Sequence, residues 1–459
     1  MNINKSDVSQ DSPRRLADKC LSAFLGRKPT INDLPINPFK ILVHFKAYYV
    51  ILNFDNLEGY YIPPNGKQPA IVGIKSESDI NRQRFSAAHE LCHHLKDQDK
   101  GSHLITLQGN NDDTERYANE FAAELLMPFE ILGDYVTKVG GIKEYELKKI
   151  LDFSMEFGVS FRAAYYRLNN CLGWHMERKE IIEKAKQYRP TSRKDPEKKR
   201  KLDKKLLGQL IESYQFVKIA PPTKQKNEFL SSIVLSDHMI ENGAVSQKRI
   251  SELIALLRIK SPAEIYSEEK VDEDESQVIG QYLMYQYIFD EQYSHDRETL
   301  KILHRKLYAC SNFPEYAGQY RETSAMITNA KISPSPPSSI EIDLIELFNA
   351  YPVIEDNPIA CIEALSKIHH SITQIHPFFD GNGRTSRALM NFQLLSKNIP
   401  PFLVSYDPGK KEEYYNALSN MDLDDDDSQG LEIFIYKNII DRYSSFISNV
   451  YGYRVYSDF

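Results

Sequence analysis

Residues 376–387 read His376-Pro377-Phe378-Phe379-Asp380-Gly381-Asn382-Gly383-Arg384-Thr385-Ser386-Arg387, and this stretch decides how the second half of the chain is read. The segment before it, ACIEALSKIHHSITQI at 360–375, has a helical pattern that ends at Pro377. The segment after it, TSRALMNFQLLS at 385–396, is helical again. The string is therefore a loop between two helices, with its glycines at the start of the second. Gly381 and Gly383 flank Asn382 and permit positive φ, so successive N–H groups can face one concavity. At a helix N-terminus that concavity is an anion site. Arg384 and Arg387 are three apart, share a face and can each grip phosphate oxygens in a fork. Asp380 stands at the entrance, where a lone carboxylate beside phosphates suits Mg²⁺. His376, at the end of the first helix, can accept a proton near neutral pH. Phe378 is expected to point inward. These are the parts needed to hold a nucleotide polyphosphate and to activate a hydroxyl beside it.

The rest of the chain sets the frame. At 459 residues it exceeds one ordinary core, and length alone suggests roughly three domains. Hydrophobic content of 41% and charged content of 26% fit a soluble globular protein, and the net charge of −7 argues against a protein that coats nucleic acid. Five scattered cysteines point to reduced thiols in the cytoplasm. No signal peptide and no membrane span are visible. Ile41–Phe54 (ILVHFKAYYVILNF) and Ala70–Lys75 (AIVGIK) read as strands. RKDPEKKRKLDKK at 193–205 marks a charged, solvated helical connector over 176–205. Beyond it the pattern is almost wholly helical. The exception is 316–340, where Gly318, Pro334, Pro336 and Pro337 break any helix and a short hairpin-like flap is expected. Asp422–Asp427 reads as an acidic solvated turn.

A second chemical motif lies upstream, His89-Glu90-Leu91-Cys92-His93, on a segment of helical period from Arg82. Histidines at i and i+4 project from one helix face and can share Zn²⁺, with Glu90 beside the site to polarise a water. A third ligand is expected from the helix ERYANEFAAELLM at 115–127, which offers Glu115, Glu120 and Glu124. Cys92 and His94 are expected to pack or to face solvent.

The 376–387 string resembles the Fic signature, HxFx(D/E)GNGRxxR, at every specified position. Leu303-His304-Arg305-Lys306-Leu307 and Ala317-Gly318-Gln319-Tyr320-Arg321 look like that family's approach to its target-binding flap. The resemblance implies transfer of AMP from ATP to a Ser, Thr or Tyr hydroxyl of a protein. His376 would be the base and Asp380 the Mg²⁺ ligand. Gly381, Asn382, Gly383 and Arg384 would cradle the phosphates, and Arg387 would meet the γ-phosphate. Many Fic enzymes carry an inhibitory [S/T]xxxE[G/N] helix. Ser236-Asp237-His238-Met239-Ile240-Glu241-Asn242 comes close, so Glu241 is expected to contest Arg387. Asp237 stands where that pattern wants Ser or Thr.

RQRFSAAHELCHHL, ERYANEFAAELLMP and VSFRAAYYRLNNCLG resemble the ImmA/IrrE zinc metallopeptidases, which implies His89, His93 and Glu115 as ligands and Glu124 as the competitor. The expected architecture is multidomain. An α+β zincin-like metallopeptidase domain spans 16–175 and a charged linker 176–205. An all-α Fic domain with a small β-hairpin flap spans 206–459, its inhibitory helix near 229–242. The expected function is an autoinhibited protein adenylyltransferase using ATP and Mg²⁺, with a Zn²⁺ peptidase-like domain. The alternative is a regulatory metallopeptidase that cleaves a repressor-type partner, with the Fic module accessory or removing AMP. Nucleic acid and membrane are not expected partners; a protein bearing a hydroxyl acceptor is, and a homodimer is compatible with the sequence.

Overall fold

The computed structural model describes residues 11–54, 57–65, 69–97, 104–107, 113–187, 196–214, 223–241, 243–290, 295–327, 333–352, 354–422 and 429–451. The chain forms two compact units rather than three: Met1–Val217 with Tyr443–Phe459, and Lys218–Arg442.

The first unit is built on a four-stranded sheet. β1 (Ala47–Leu52), β2 (Leu57–Ile62), β3 (Ala70–Lys75) and β4 (Leu104–Leu107) lie in the order β1-β3-β2-β4. β1 and β3 are parallel, with Ala47 opposite Ala70, and β2 runs antiparallel to β3 and β4. The near-continuous apolar run of β3 is explained by its central place, since five of its six residues are buried. Gly73 is required there, because a Cβ would meet the Tyr60 ring at 2.1 Å. On the edge, Ile51 N donates to the hydroxyl of Ser444 at 3.0 Å, so one open amide of β1 is satisfied.

The strand expected over Ile41–Phe54 starts only at Ala47, because Pro38–His44 is a helix. Asn37 caps it, its side chain accepting from Phe39 N and Lys40 N, and Pro38 fixes φ at the first turn. A local cap thus overrides β-branched composition. Helix α1 (Ile80–Lys96) carries the HELCH motif and starts at Asp79, whose carboxylate accepts from Asn81 N and Arg82 N. It packs against α2 (Asp113–Leu126).

The connector divides differently from the sequence expectation. Helix α3 (Pro196–Ser213) is solvated at its start, but Leu206, Leu210 and Ile211 are buried. The Tyr49 hydroxyl donates to Leu210 O at 3.1 Å, and fully buried Arg84 reaches the Gln209 side chain as well as Gly158 O and Ile36 O. Among the described residues, 206–214 and 443–451 therefore belong to the first unit, not to the helical domain expected over 206–459.

The second unit is helical. α4 (Thr223–Ile240), α5 (Glu273–Asp290), α6 (Arg297–Leu307), α7 (Pro358–Ile375), α8 (Asn382–Ser396) and α9 (Pro408–Met421) carry the residues of interest. α5 packs on α4, α6 and α8, and α7 on α8. Asn357 caps α7, accepting from Ile359 N and Ala360 N. The flap expected at 316–340 forms no strand among its described residues; 328–332 lie outside them, as do Asn242 and 423–427. Instead its two ends are tied by a side chain, described below. Among the described residues, no helix is long and apolar enough to cross a membrane.

Candidate functional site

The loop between α7 and α8 is shaped from within. α7 ends at His376, which adopts the left-handed conformation at φ 52° and ψ 58°. For a non-glycine residue that costs about 1 kcal/mol or more, so neighbours must hold it. Arg321 does so: its Nε donates to His376 O at 2.7 Å and Nη2 to Ile375 O at 3.3 Å, closing open carbonyls of the helix end. The same guanidinium binds Thr323 O at 2.7 Å and Ser335 O, and Arg321 N donates to Pro377 O at 2.9 Å. One buried arginine therefore fixes the backbone of His376 and both ends of the expected flap. His376 Nδ1 donates to Thr373 O at 3.3 Å, which leaves Nε2 as the basic nitrogen of a ring that lines a cavity. Burial, aided by the Arg321 charge, lowers its pKa below the ordinary histidine value, with the Thr373 hydrogen bond opposing.

Phe378 is fully buried, as expected, and stacks on His304 with centroids 3.8 Å apart. His304 accepts from Gly318 N at Nδ1, so Nε2 carries the proton and donates to Asp380 O at 2.9 Å. Asn382 faces inward too: its side chain accepts from Phe378 N at 2.8 Å and donates to Phe378 O at 2.9 Å. It stiffens the loop from within. Gly381 takes the positive φ expected of it, at 78°. Gly383 does not, being helical; a Cβ there would lie 2.9 Å from Glu241 Oε1.

The charged side chains are all engaged. Asp380 Oδ2 accepts from the Tyr308 hydroxyl and from Arg384 Nη2, each at 2.8 Å. Burial raises its pKa, but the Arg384 charge, the Tyr308 hydroxyl and the Gly381 amide outweigh this and hold it below the usual carboxylate range. The side chain is still 56% exposed, so a hydrated cation can reach it. Arg384 also donates from Nη1 to Gln277 Oε1 at 2.7 Å. Arg387 is 3% exposed and meets two carboxylates, Asp237 Oδ1 on Nε at 2.8 Å and Glu241 Oε1 on Nη2 at 2.7 Å. Burial opposes its charge, yet Asp237 and Glu241 overcome it and raise its pKa. Burial likewise lifts the Asp237 carboxyl, against the pull of Arg387 and Tyr285. Glu241, His376, Asn382, Gly383 and Arg387 line one cavity of about 890 Å³, with Tyr414, Tyr415 and Asp422 at another wall.

In the first unit, α1 and α2 bring His89, His93 and Glu115 together, with one ligand atom from each inside a 4.8 Å span. Glu115 Oε2 lies 3.2 Å from His89 Nε2, and Oε1 lies 3.5 Å from His93 Nε2. Behind them, His93 Nδ1 donates to Asp97 at 2.9 Å and His89 Nδ1 to Asn119 Oδ1 at 3.2 Å. Both tautomers are thus set with Nε2 as the ligand atom, the arrangement metal-binding histidines need. The competitor Glu124 is elsewhere engaged, in a two-pronged pair with Arg167. Glu90 is buried beside the strand, its Oε1 2.9 Å from where a Cβ of Gly59 would stand. His94 packs against Tyr61 and donates to Phe45 O, and Cys92 is buried.

Sequence reading missed Asp237 as a partner of Arg387, and Arg321, Asp97 and Asn119 as holders. Three had a signal: Asp237 is one helical turn before Glu241, Asp97 one turn after His93, and Asn119 one turn after Glu115. Arg321 had none, since its partners are backbone carbonyls.

Residues 294–394 match the Fic/DOC family, and residues 50–169 match the IrrE N-terminal-like domain. Protein adenylyltransferase Fic of Nematostella vectensis is 32% identical over 118 residues, 26% of this chain and 26% of that protein. Protein adenylyltransferase fic-1 of Caenorhabditis briggsae is 29% identical over 126 residues, 27% of this chain and 23% of that one. The chain thus spans about a quarter of the length of these curated relatives. A solved structure of Fic-1 from C. elegans aligns with TM-score 0.44 and 18% identity, covering 70% of this chain and 94% of that one. By these matches the chain carries a Fic/DOC-family domain over residues 294–394 and an IrrE N-terminal-like domain over residues 50–169.

Proposed function

We propose that the second unit transfers AMP from ATP to a hydroxyl of a protein and is restrained by Glu241. The observation that carries this is one cavity lined by the base His376, the helix N-terminus at Asn382 and Gly383, and Arg387 with Glu241 upon it. His376 Nε2 takes the proton of the acceptor hydroxyl. The hydroxyl oxygen bonds to the α-phosphorus as the bond to the β-phosphate breaks, and pyrophosphate leaves. Amides at the start of α8 and Arg384 stabilise the phosphate charge. Asp380 would hold Mg²⁺, which when bound neutralises charge on the phosphates. Arg387 reaches the γ-phosphate only when Glu241 withdraws. ATP labelled on the α-phosphate should label protein, and ATP labelled on the γ-phosphate should not. Labelling from the γ-position would make the enzyme a kinase and end this reading.

A second reading, zinc-dependent peptide cleavage by the first unit, is favoured by the convergence of His89, His93 and Glu115 with their tautomers fixed from behind. Those three residues would hold Zn²⁺, which when bound activates water for attack on a peptide carbonyl. Glu90 would take and return the proton. Elemental analysis should find about one zinc per chain in the purified protein, lost in His89→Ala; wild-type protein without zinc would remove this reading.

A further inference from the structure

Two carboxylates from one helix meet one guanidinium, and their situations differ. Asp237 is 2% exposed and Glu241 34% exposed at the side chain. Asp237 has a second tie, accepting from the Tyr285 hydroxyl at 2.6 Å, and Tyr285 is itself fully buried. The preceding residue, Ser236, donates to Val404 O, which pins this turn of α4 in the core. Glu241 follows Ile240, the last residue of α4, and lines the cavity, whereas Asp237 does not. The two acids also use different nitrogens, Nε for Asp237 and Nη2 for Glu241.

We infer that Asp237 is a positioning residue for Arg387. It holds Nε in both the restrained and the nucleotide-bound states, while Glu241 alone exchanges with phosphate. This rests on the AMP-transfer reading above. A guanidinium carries one positive charge, so a second carboxylate is in excess and the two acids repel each other. Repulsion is relieved by the acid that can reach water, and helix ends open at less cost than buried turns. With Nε held, the guanidinium plane stays fixed and its Nη atoms face the cavity. A fork of fixed orientation discriminates a terminal phosphate better than a mobile charge does. In the pattern that Ser236–Asn242 resembles, position 237 is a hydroxyl residue; here it is an acid, which makes the hold an ionic one.

The test measures ATP and ADP binding calorimetrically in the full chain, because only ATP has the γ-phosphate that Arg387 meets. Glu241→Gly should bind ATP about tenfold more tightly than ADP. Adding Asp237→Ala should bring that ratio near one while leaving ADP affinity within about twofold. Adding Asp237→Asn, which keeps an oxygen for Nε, should retain most of the ratio. Should Asp237→Ala not fold, Tyr285→Phe in the Glu241→Gly background frees Asp237 and should lower the ratio in part. An unchanged ratio in whichever of these two variants folds overturns the inference, as does an equal loss of ATP and ADP affinity. So does Asp237→Asn alone, with Glu241 intact, if it raises ATP affinity as much as Glu241→Gly, for Asp237 would then be a second brake. If Glu241→Gly by itself shows no preference for ATP, the assignment of Arg387 to the γ-phosphate fails before Asp237 is touched, and the inference falls with it.

Discussion

The two motif-bearing regions hold their polar side chains in opposite ways. In the first unit, His89, His93 and Glu115 converge with ligand atoms toward one another, while Asp97 and Asn119 occupy the far side of each ring. In the second, the charges of the 376–387 loop are met by other residues of the chain: Arg387 by Asp237 and Glu241, Arg384 by Gln277 and Asp380, and Asp380 also by Tyr308. A site whose partners stand behind it is ready for its ligand. A site whose partners stand in front must lose one first. The first arrangement favours tight resident binding and the second favours control, because the internal partner and the ligand compete for one group.

The largest expected effect concerns the base. His376→Ala should lower AMP transfer about 10³-fold in the Glu241→Gly background, measured as α-label incorporated per minute. Retained transfer would mean that the left-handed cap at the end of α7 serves only the loop. Next comes the readiness of the metal site. Asp97→Ala should weaken zinc binding about 10–100-fold in competition with a chelator, because His93 loses the partner that fixes its tautomer. An unchanged affinity would make the convergence of the three ligands independent of what lies behind them. Arg321→Lys should lower kcat about tenfold with little change in the KM for ATP, since a single ammonium cannot serve four carbonyls that a planar fork serves. Equal changes in both constants would show that Arg321 acts on nucleotide binding instead. The smallest effect is one of pH. In the proposed reaction the neutral imidazole of His376 is the base, so transfer should rise with pH through its pKa. Burial and Arg321 lower that pKa, so the acid limb of kcat/KM should lie below about 6.5, the ordinary histidine value. A limb above pH 7 would assign the base elsewhere.

Much of both sites is legible in the sequence because it depends on spacing within a few residues. The i, i+4 histidines, the helix start at Gly381–Gly383 and the inward Phe378 follow from chain-local geometry. What escapes is partner choice between distant segments. Glu115 and Glu124 lie on one helix and have the same chemistry. Their partners separate them: His89 and His93 face Glu115, and Arg167 engages Glu124. Asp237 reads as a flaw in a pattern until Arg387 is set beside it. The boundary at 206 looks like the end of a charged connector, but contacts such as those of Gln209 and Leu210 with Arg84 and Tyr49 place those residues in the first unit. The helix at Pro38–His44 shows the converse, a local cap hidden under strand-like composition.

In the proposed restraint, Glu241 occupies Arg387 in place of phosphate. This restraint is tested most directly by measuring ATP affinity and α-label incorporation together in wild type and Glu241→Gly. Both should rise on substitution, affinity by about 10–100-fold, the range of a charge-assisted contact released to a ligand. Equal affinity and equal labelling in the two proteins would contradict the account.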